Sequence, residues 1–381
     1  MLNKSLRLMP VPLWSDDPMP KSVDIPLIAG VEFHIIKRYE FAADGYRFLH
    51  GIALAWHRGK LYASFGHNKG AENTGGEQAR GRFSTDGGKT WGTPFDIATG
   101  KTANEAVSHG VFLSRNERLW TFHGAFNGSM KNVHTLAFLL DEASGRWESK
   151  GVVIEGGFWP LQEPQKMNDG NWIMSGIAVT GDCVDGGVHP AAVAISHGDD
   201  LTRWDLVVIP CQATGNVWGE STVFIAGARV VNIARYGEKA QALVAHSDDC
   251  GRTWTRAQPS NLPMATSKPY AGTLSTGQHY LIGTTTADCG MRRSPLTIAL
   301  TRPGETAFNR ILLIRNAEFP KGPGESNPDA ALSYPYAVEH DGKLYVGYSN
   351  SGGGTGRVGE GRELWNNNSM ELAVIPVAAL A

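Results

Sequence analysis

Short apolar stretches alternate with tight turns along most of the chain. A strand-like run, a turn with glycine and a second strand-like run recur at Trp56–Tyr62, Asn168–Trp172, Ala226–Val230, Ser275–Tyr280 and His340–Tyr345. Residues 115–120 have the same pattern without the glycine. Long helical periodicity is scarce, whereas short strands joined by tight turns are typical of all-β domains. The pattern therefore predicts an all-β fold.

Two octets, Ser84–Trp91 and Ser247–Trp254, share the pattern Ser-x-Asp-x-Gly-x-Thr-Trp, and each follows a short apolar run. Aspartate and glycine favour a tight turn, through a side-chain hydrogen bond and a permissive φ. The tryptophan adds a large apolar side chain that can hold the turn against a neighbouring strand. We interpret Asp86 and Trp91 as structural residues.

The octets belong to a longer internal repeat. Aromatic residues follow a turn at Trp91, Trp147, Trp204, Trp254 and Phe308, at spacings of 50–57 residues. A unit of this length accommodates four strands, which is the size of a propeller blade. Together with a last unit near the C-terminus, the repeat predicts a single-domain, six-bladed β-propeller of four-stranded antiparallel blades, spanning residues 1–381.

The last unit contains only three strand-like runs: Tyr334–Val338, Leu344–Tyr348 and Met370–Val377. The missing outer strand is available in Val31–Phe41, which alternates as a strand does. Because an unpaired edge favours aggregation, we expect this segment to close the ring. We expect the proline-rich residues 1–29 to wrap the outside, and the glycine-rich loop of residues 350–365 to border a ligand site.

Composition excludes several classes of function. The net charge of −2 gives no basic surface for nucleic acid, and no apolar run is long enough to span a membrane. The four cysteines lie far apart, which favours free thiols in a reducing compartment. Residues 1–20 do not resemble a signal peptide, so we expect a cytoplasmic protein, or a periplasmic or secreted one if a signal was trimmed.

Polar residues concentrate where the predicted inner strands begin and the second strands end. In a propeller these positions converge beside the central axis, where packing alone would favour apolar residues. This concentration predicts a pocket. Its candidate residues are Arg47, His50, His67, His109, His123, Glu163, Glu220, Arg235, Ser267, Lys268, Arg293, Tyr334, Tyr336 and Tyr348.

The octets resemble the Asp box (BNR repeat) of the sialidase superfamily, a β-propeller superfamily, and the resemblance covers roughly residues 46–348. It implies that Arg47, Arg235 and Arg293 bind the carboxylate of an acidic sugar, since guanidinium groups pair with carboxylates through two hydrogen bonds. It also implies that Tyr334, in Ser333–Tyr336, is the nucleophile and that Glu220 accepts its proton. A tyrosine nucleophile is a known exception to the two-carboxylate scheme of glycosidases.

The chain also departs from this family. Leu49 replaces the proline of the motif, and no aspartate lies between Leu49 and Asp86 to serve as the general acid. Glu72 and Glu77 are the only carboxylates in that stretch, on a glycine-rich loop. Four histidines lie nearby, at positions 50, 67, 109 and 123. Their spacing does not suggest a metal site, and we expect no cofactor.

Three functional hypotheses remain open. The first is a sialidase-like glycosidase that cleaves a terminal acidic sugar from a glycan, with Tyr334, Glu220 and Glu72 as catalytic residues. The second is a rhamnosidase or polysaccharide lyase acting at a glucuronate linkage, with His50 as acid or base; some members of the superfamily act in this way. The third is a non-catalytic propeller that binds carbohydrate, because a fold does not guarantee activity. The oligomeric state stays open.

Overall fold

The structure is a computed structural model that describes residues 11–15, 18–179, 187–211 and 215–381. In chain order its strands are β1 (Glu32–Lys37), β2 (Phe48–His57), β3 (Lys60–Asn68), β4 (Gln78–Ser84), β5 (Phe95–Ala98), β6 (Glu105–Arg115), β7 (Arg118–Asn127), β8 (Lys131–Asp141), β9 (Arg146–Ile154), β10 (Phe158–Pro160), β11 (Gln165–Lys166), β12 (Trp172–Ala178), β13 (Val188–His189), β14 (Ala191–His197), β15 (Asp200–Val208), β16 (Val217–Trp218), β17 (Ser221–Ala226), β18 (Arg229–Arg235), β19 (Gln241–Ser247), β20 (Gln258–Pro263), β21 (Tyr270–Thr273), β22 (His279–Gly283), β23 (Leu296–Thr301), β24 (Phe308–Arg315), β25 (Leu332–His340), β26 (Lys343–Asn350) and β27 (Ser369–Pro376).

Helices are few and short. The two α-helices are α1 (Phe41–Asp44) and α2 (Glu363–Asn366), and three 3-10 helices cover Ser22–Asp24, Gly352–Gly354 and Val377–Leu380. Among the described residues, no helix has the length and apolar character needed to cross a membrane. The prediction of an all-β fold is confirmed.

Six antiparallel sheets form the blades of a β-propeller. The first five blades are β2–β5, β6–β9, β10 with β12, β14 and β15, β17–β20, and β21–β24. The short strand β11 also pairs with β12, and β13 pairs with β16 in a small parallel sheet. Apolar side chains pack between blades, and the largest buried cluster joins the sixth, first, second, third and fifth blades. The predicted number of blades is confirmed.

The N-terminal strand closes the ring, as predicted. In the sixth blade the order is β25, β26, β27 and β1, with β1 antiparallel to β27. Glu32 lies opposite Val374, and His34 lies opposite Leu372. The strand is shorter than the predicted Val31–Phe41, because the chain turns into α1 at Phe41.

The described residues before β1, from Val11 onwards, follow the outer strands of two blades; residues 1–10 of the predicted wrap lie outside the described part of the chain. Val11 bridges to Ser260 in β20, and Trp14 and Leu27 bridge to β24. Leu13, Trp14, Ile25 and Ile28 are buried. Cys211, Cys250 and Cys289 carry free thiols, and Cys183 lies outside the described residues.

Both octets form the same hydrogen-bonded turn between the third and fourth strands of a blade. In the first, Asp86 accepts hydrogen bonds from the backbone N–H (2.9 Å) and the hydroxyl (2.6 Å) of Thr90, and Trp91 Nε1 donates to the carbonyl of Gly88 (3.0 Å). The second octet repeats these bonds at distances of 2.8, 2.6 and 2.8 Å. Each indole packs partly buried against a hydrophobic core. The octets therefore stabilise the blades.

We expect Trp91→Ala and Trp254→Ala each to lower the free energy of unfolding by about 2–3 kcal/mol. A fully buried tryptophan costs roughly 3–5 kcal/mol on truncation, and these indoles are only partly buried. Urea denaturation followed by circular dichroism measures the change. Lys89→Ala, at an exposed position of the same turn, is the control and should change stability by less than about 0.5 kcal/mol. A tryptophan variant as stable as this control contradicts the structural role.

Candidate active site

A cavity of about 830 Å³ opens at the end of the propeller where the inner strands begin. Residues from all six blades contribute to its wall. Seven of the residues singled out in the sequence lie on this wall: His50, Glu72, His109, Glu220, Arg235, Arg293 and Tyr334. The octet turns lie away from the cavity. In the first blade, β4 begins beside the cavity loop that carries Glu72 and runs to the first octet at its other end.

The other eight candidates do not line the cavity: Arg47, His67, His123, Glu163, Ser267, Lys268, Tyr336 and Tyr348. Arg47 forms an ion pair with Glu363, which does line the cavity (Nη2 to Oε2, 2.8 Å). His67 is buried and stacks on Tyr46, with ring centroids 3.7 Å apart.

His123 and Tyr336 are buried in the interior, and Glu163 is partly buried beside them. His123 is hydrogen-bonded to the carbonyl of Ser108 (2.8 Å). Tyr270 Oη donates to the carboxylate of Glu163, whose two oxygens lie 2.7 and 2.8 Å from it, and the ring of Tyr336 packs 4.6 Å from that of Tyr270. In these positions each side chain stabilises the protein interior and does not face the cavity.

Tyr334 has an unusual backbone conformation. Its φ is +53°, and the pairing of β25 with β26 shifts register between Ser333 and Tyr336. Such a left-handed conformation is costly for a bulky residue and persists only where the surroundings impose it. Ser267 Oγ accepts the N–H of Tyr334 (3.4 Å), and Lys268 Nζ donates to the carbonyl of Pro335 (2.8 Å). The preceding blade therefore holds this bulge in place.

The phenol of Tyr334 lies beside a buried ion pair. Arg235 Nη1 donates to Glu220 Oε2 (2.6 Å) and lies 3.5 Å from Tyr334 Oη. Burial raises the pKa of Tyr334 well above its ordinary value, Glu220 adds to this shift, and the guanidinium of Arg235 opposes it. The phenol is therefore neutral near neutral pH and needs a base to react. Glu220 is positioned for that role, because its Oε2 and the phenol oxygen of Tyr334 both contact Arg235 Nη1.

A second guanidinium reinforces the positive charge around Tyr334. Arg293 lies with its guanidinium carbon 5.8 Å from the centre of the Tyr334 ring, and its Nε donates to the carbonyl of Thr266 (3.1 Å). Arg235 Nε is buried and has no hydrogen-bond partner among the described residues. Two partly buried guanidinium groups with unused donor capacity among the described residues favour an anionic ligand.

Glu72 is the second carboxyl group of the cavity with an altered pKa. Burial raises its pKa to about 7, with Glu220 adding to the shift and Arg293 opposing it. Asn366, from α2, donates a hydrogen bond to Glu72 Oε2. A carboxyl group that keeps its proton near neutral pH can act as a general acid.

His50 packs against the nucleophile candidate, with its ring centroid 4.0 Å from that of Tyr334. Asn368 Nδ2 donates to the carbonyl of Leu49 (3.1 Å), and its second hydrogen points to His50 Nδ1 (3.0 Å). Nδ1 is thus an acceptor, which places the imidazole proton on Nε2. Burial, with His109 and Arg293, lowers the pKa of His50 well below its ordinary value.

One wall of the cavity is apolar. It consists of Met130, Trp159, Leu161, Ile177 and Val179, which belong to one buried hydrophobic cluster. Trp218 packs against the same cluster. These residues were not among the sequence candidates, because alternating apolar residues in strands indicate packing and do not distinguish a cavity wall from the core.

The loop after β26 contributes Arg362, Glu363, Trp365 and Asn366 to the cavity. The sequence predicted that this glycine-rich loop borders a ligand site, but it did not single out Asn366 or the more deeply placed Asn368. Within the described part of the chain, no group of three histidine, cysteine or acidic residues could hold a metal ion.

Comparison with known proteins agrees with this architecture. Residues 50–346 match the family described as BNR repeat-like domain. Sequence comparison with curated proteins finds no match.

Several solved structures share the fold at low sequence identity. A protein of unknown function from Dyadobacter fermentans has a TM-score of 0.65 and 14% identity, covering 91% of this chain and 99% of that one. The Hadza microbial sialidase Hz136 has a TM-score of 0.68 and 13% identity, covering 91% and 69%. Trypanosoma rangeli sialidase, solved with 2,3-difluorosialic acid as a covalent intermediate, has a TM-score of 0.62 and 13% identity, covering 93% and 60%.

The family match extends over most of the chain, from the inner strand of the first blade to the second strand of the sixth. It agrees with the six blades and with the two repeated octet turns. The chain belongs to the BNR repeat-like domain family.

Proposed function

We propose that the protein is a sialidase-like glycosidase that removes a terminal acidic sugar from an oligosaccharide or polysaccharide. The observation that carries the proposal is the arrangement around Tyr334. Its strained backbone presents the phenol to a cavity beside Arg235 and Arg293, and its oxygen shares Arg235 Nη1 with Glu220. Such an arrangement suits attack on a sugar that carries a carboxylate, because the arginines pair with the anion.

In the proposed first step, Tyr334 Oη attacks the anomeric carbon and Glu220 takes the phenol proton. The bond to the leaving oxygen breaks, and Glu72 gives that oxygen its proton. Water then hydrolyses the glycosyl-tyrosine, with Glu72 as base and Glu220 returning the proton to Tyr334. A carboxyl group with a pKa of about 7 can serve in both directions near neutral pH.

The two sides of the cavity suggest what the sugar looks like. The arginines favour a carboxylate, whereas the apolar wall of Trp159, Leu161, Ile177 and Val179 favours an apolar group. We infer that the substrate is an acidic sugar that also carries an acyl or other methyl-bearing substituent.

The His-dependent hypothesis is less well supported. A lyase or rhamnosidase would need His50 as acid or base, but Nδ1 of His50 accepts a hydrogen bond from Asn368. The imidazole proton then lies on Nε2. Nε2, the ring nitrogen not engaged by Asn368, therefore cannot accept a proton from the substrate. The strongly lowered pKa of the buried ring also disfavours a protonated, acidic form.

Covalent trapping tests the proposed chemistry. We expect incubation with 2,3-difluorosialic acid, followed by proteolysis and mass spectrometry, to identify one sugar adduct, on the peptide that contains Tyr334. Tyr334→Phe should yield no adduct. A protein that binds the compound without any adduct, and turns over no acidic glycoside, supports the non-catalytic hypothesis instead.

We expect Glu72→Gln to lower kcat/KM by about 10²–10⁴-fold on a glycoside with an alkyl leaving group, because acid catalysis is then lost. On a 4-nitrophenyl glycoside, whose leaving group needs little protonation, the loss should be much smaller. The acid must be protonated, so wild-type activity on the alkyl glycoside should fall as pH rises above about 7. Equal losses on both substrates contradict the assignment of Glu72 as the acid.

A further inference from the structure

A chain of hydrogen bonds leads from a buried carboxyl group to the cavity, and the catalytic steps proposed above do not use it. Ser108 Oγ is bonded to Glu77 Oε1 on one side and lies 3.2 Å from His109 Nδ1 on the other. Glu77 and Ser108 are fully buried. At the far end of the chain, His109 lines the cavity.

The imidazole of His109 is held in a fixed position with one nitrogen unused. Gly51, with a φ of +68°, leaves room for the ring, since a Cβ there would lie 2.3 Å from His109 Cγ. Trp159 packs on the ring with centroids 5.1 Å apart. Nε2 of His109 is buried and has no hydrogen-bond partner among the described residues, and the ring lies 6.0 Å from that of Tyr334.

We propose that Glu77, Ser108 and His109 form a proton relay whose state decides whether His109 Nε2 offers a ligand in the cavity a hydrogen-bond donor or an acceptor. The proposed function enters this proposal in one respect only, because it identifies the ligand as an acidic sugar. Glu77 and Ser108 act here as positioning residues, and the atom that meets the ligand is His109 Nε2.

The relay has two hydrogen-bonded states that differ by one proton. In the first, the Glu77 carboxyl donates to Ser108 Oγ, the Ser108 hydroxyl donates to His109 Nδ1, and the imidazole proton is on Nε2. When Nε2 releases that proton, the serine proton moves to Nδ1 and the glutamic acid proton moves to Oγ. The ionised Glu77 then accepts from Ser108, Nδ1 donates to Ser108 Oγ, and Nε2 is an acceptor.

The electrostatics of the site favour this exchange over simple protonation of the imidazole. Burial, with Lys268 and His123, lowers the pKa of His109 to about 3, so the ring stays neutral near neutral pH. Burial raises the pKa of Glu77 to about 8, with Ser108 opposing the shift and Glu72 adding to it. The donor state is therefore present below about pH 8, and the acceptor state forms above it.

Other titratable groups surround the relay and must be separated from it. They are Glu72 on the loop before β4, His50 on β2, His123 on β7, Lys268 before β21 and Tyr334 on β25. Two of them titrate in the same range, since the pKa of Glu72 is about 7 and that of Lys268 is about 8. A direct measurement of the His109 tautomer avoids this overlap.

Nuclear magnetic resonance of protein labelled with ¹⁵N-histidine tests the relay without any substrate. The two ring-nitrogen signals of His109 are assigned by their loss in His109→Gln. At pH 6.5 we expect Nε2 to have the chemical shift of a protonated nitrogen and Nδ1 that of an unprotonated one. At pH 9.5 we expect the reverse. His123 is the internal control. Its Nδ1 faces the carbonyl of Ser108, which accepts a hydrogen bond at every pH, so its tautomer should not change.

Ser108→Ala interrupts the relay and leaves Glu72, Lys268 and the backbone carbonyl in place. We expect the His109 exchange to disappear in this variant while His123 keeps its pattern. An unchanged His109 tautomer in the wild type, a doubly protonated ring at pH 6.5, or an exchange that persists in Ser108→Ala overturns the proposal. If Ser108→Ala does not fold, the wild-type spectra recorded between pH 6.5 and pH 9.5 decide the proposal by themselves. Because no turnover is measured, a failure of the trapping experiment leaves this result unaffected.

Discussion

Tyr334→Phe should lower turnover of an aryl sialoside by at least about 10³-fold, because the variant has no nucleophile for the first step. The substitution removes one oxygen and keeps the ring that packs on His50 and His109. The side chains of Ser267 and Lys268 hold the bulge through its backbone N–H and carbonyl groups, which the substitution leaves in place. We therefore expect the variant to fold and to bind substrate with a KM near that of the wild type.

His50→Ala is the matched comparison. Under the glycosidase proposal His50 supports the ring of Tyr334, so its loss should leave much of the turnover. Under the His-dependent alternative the loss should be the factor of about 10²–10⁴ that is typical of acid–base catalysis. A lyase would also release a product that absorbs in the near ultraviolet, from a double bond conjugated to the carboxylate. An active Tyr334→Phe beside an inactive His50→Ala contradicts the proposed function.

The architecture could be predicted because it repeats. Each blade has its own strands and turns, so the same local residue pattern occurs several times along the chain. The two octets mark the same turn in two of the blades. The closing strand could also be predicted, since a three-stranded last blade leaves an edge that must be paired. Its end at Lys37 could not, because the chain beyond it is held by contacts with distant residues, such as the hydrogen bond from Tyr39 N–H to Ser369 Oγ (3.0 Å).

Repeat position alone did not separate cavity residues from interior residues. Glu163 and Glu220 occupy equivalent places in successive blades, and only Glu220 lines the cavity. Glu163 is instead hydrogen-bonded by Tyr270, which lies more than 100 residues away in the sequence. The same holds for Arg47, whose partner Glu363 comes from the opposite end of the chain. Such pairings depend on how blades meet, which a residue pattern does not contain.

The chemical state of a side chain was also beyond the sequence. Glu72 was a candidate only because no aspartate was available, and its raised pKa comes from burial beneath the loop that contains Asn366. His50 was a candidate acid or base because free histidine titrates near neutrality. Burial and the hydrogen bond from Asn368 remove that property. Both effects arise from residues far apart in sequence.

Deleting the first 41 residues should abolish cooperative unfolding. The deletion removes β1, so β27 loses its outer partner and the sixth blade keeps three strands. It also removes Ile36, which is fully buried. An exposed edge beside the junction of the first and sixth blades leaves the ring open and prone to aggregation. Thermal unfolding followed by circular dichroism should show a broad transition, or aggregation in place of one.

Deleting only the first 30 residues is the control, because it keeps β1 and the closed sixth blade. That protein loses the buried contacts of Leu13, Trp14, Ile25 and Ile28, so its melting temperature should fall. It should nevertheless unfold in one sharp transition, since all six blades keep four strands. A protein without its first 41 residues that melts as sharply as this control, and near the temperature of the full chain, would show that β1 is not needed to close the ring.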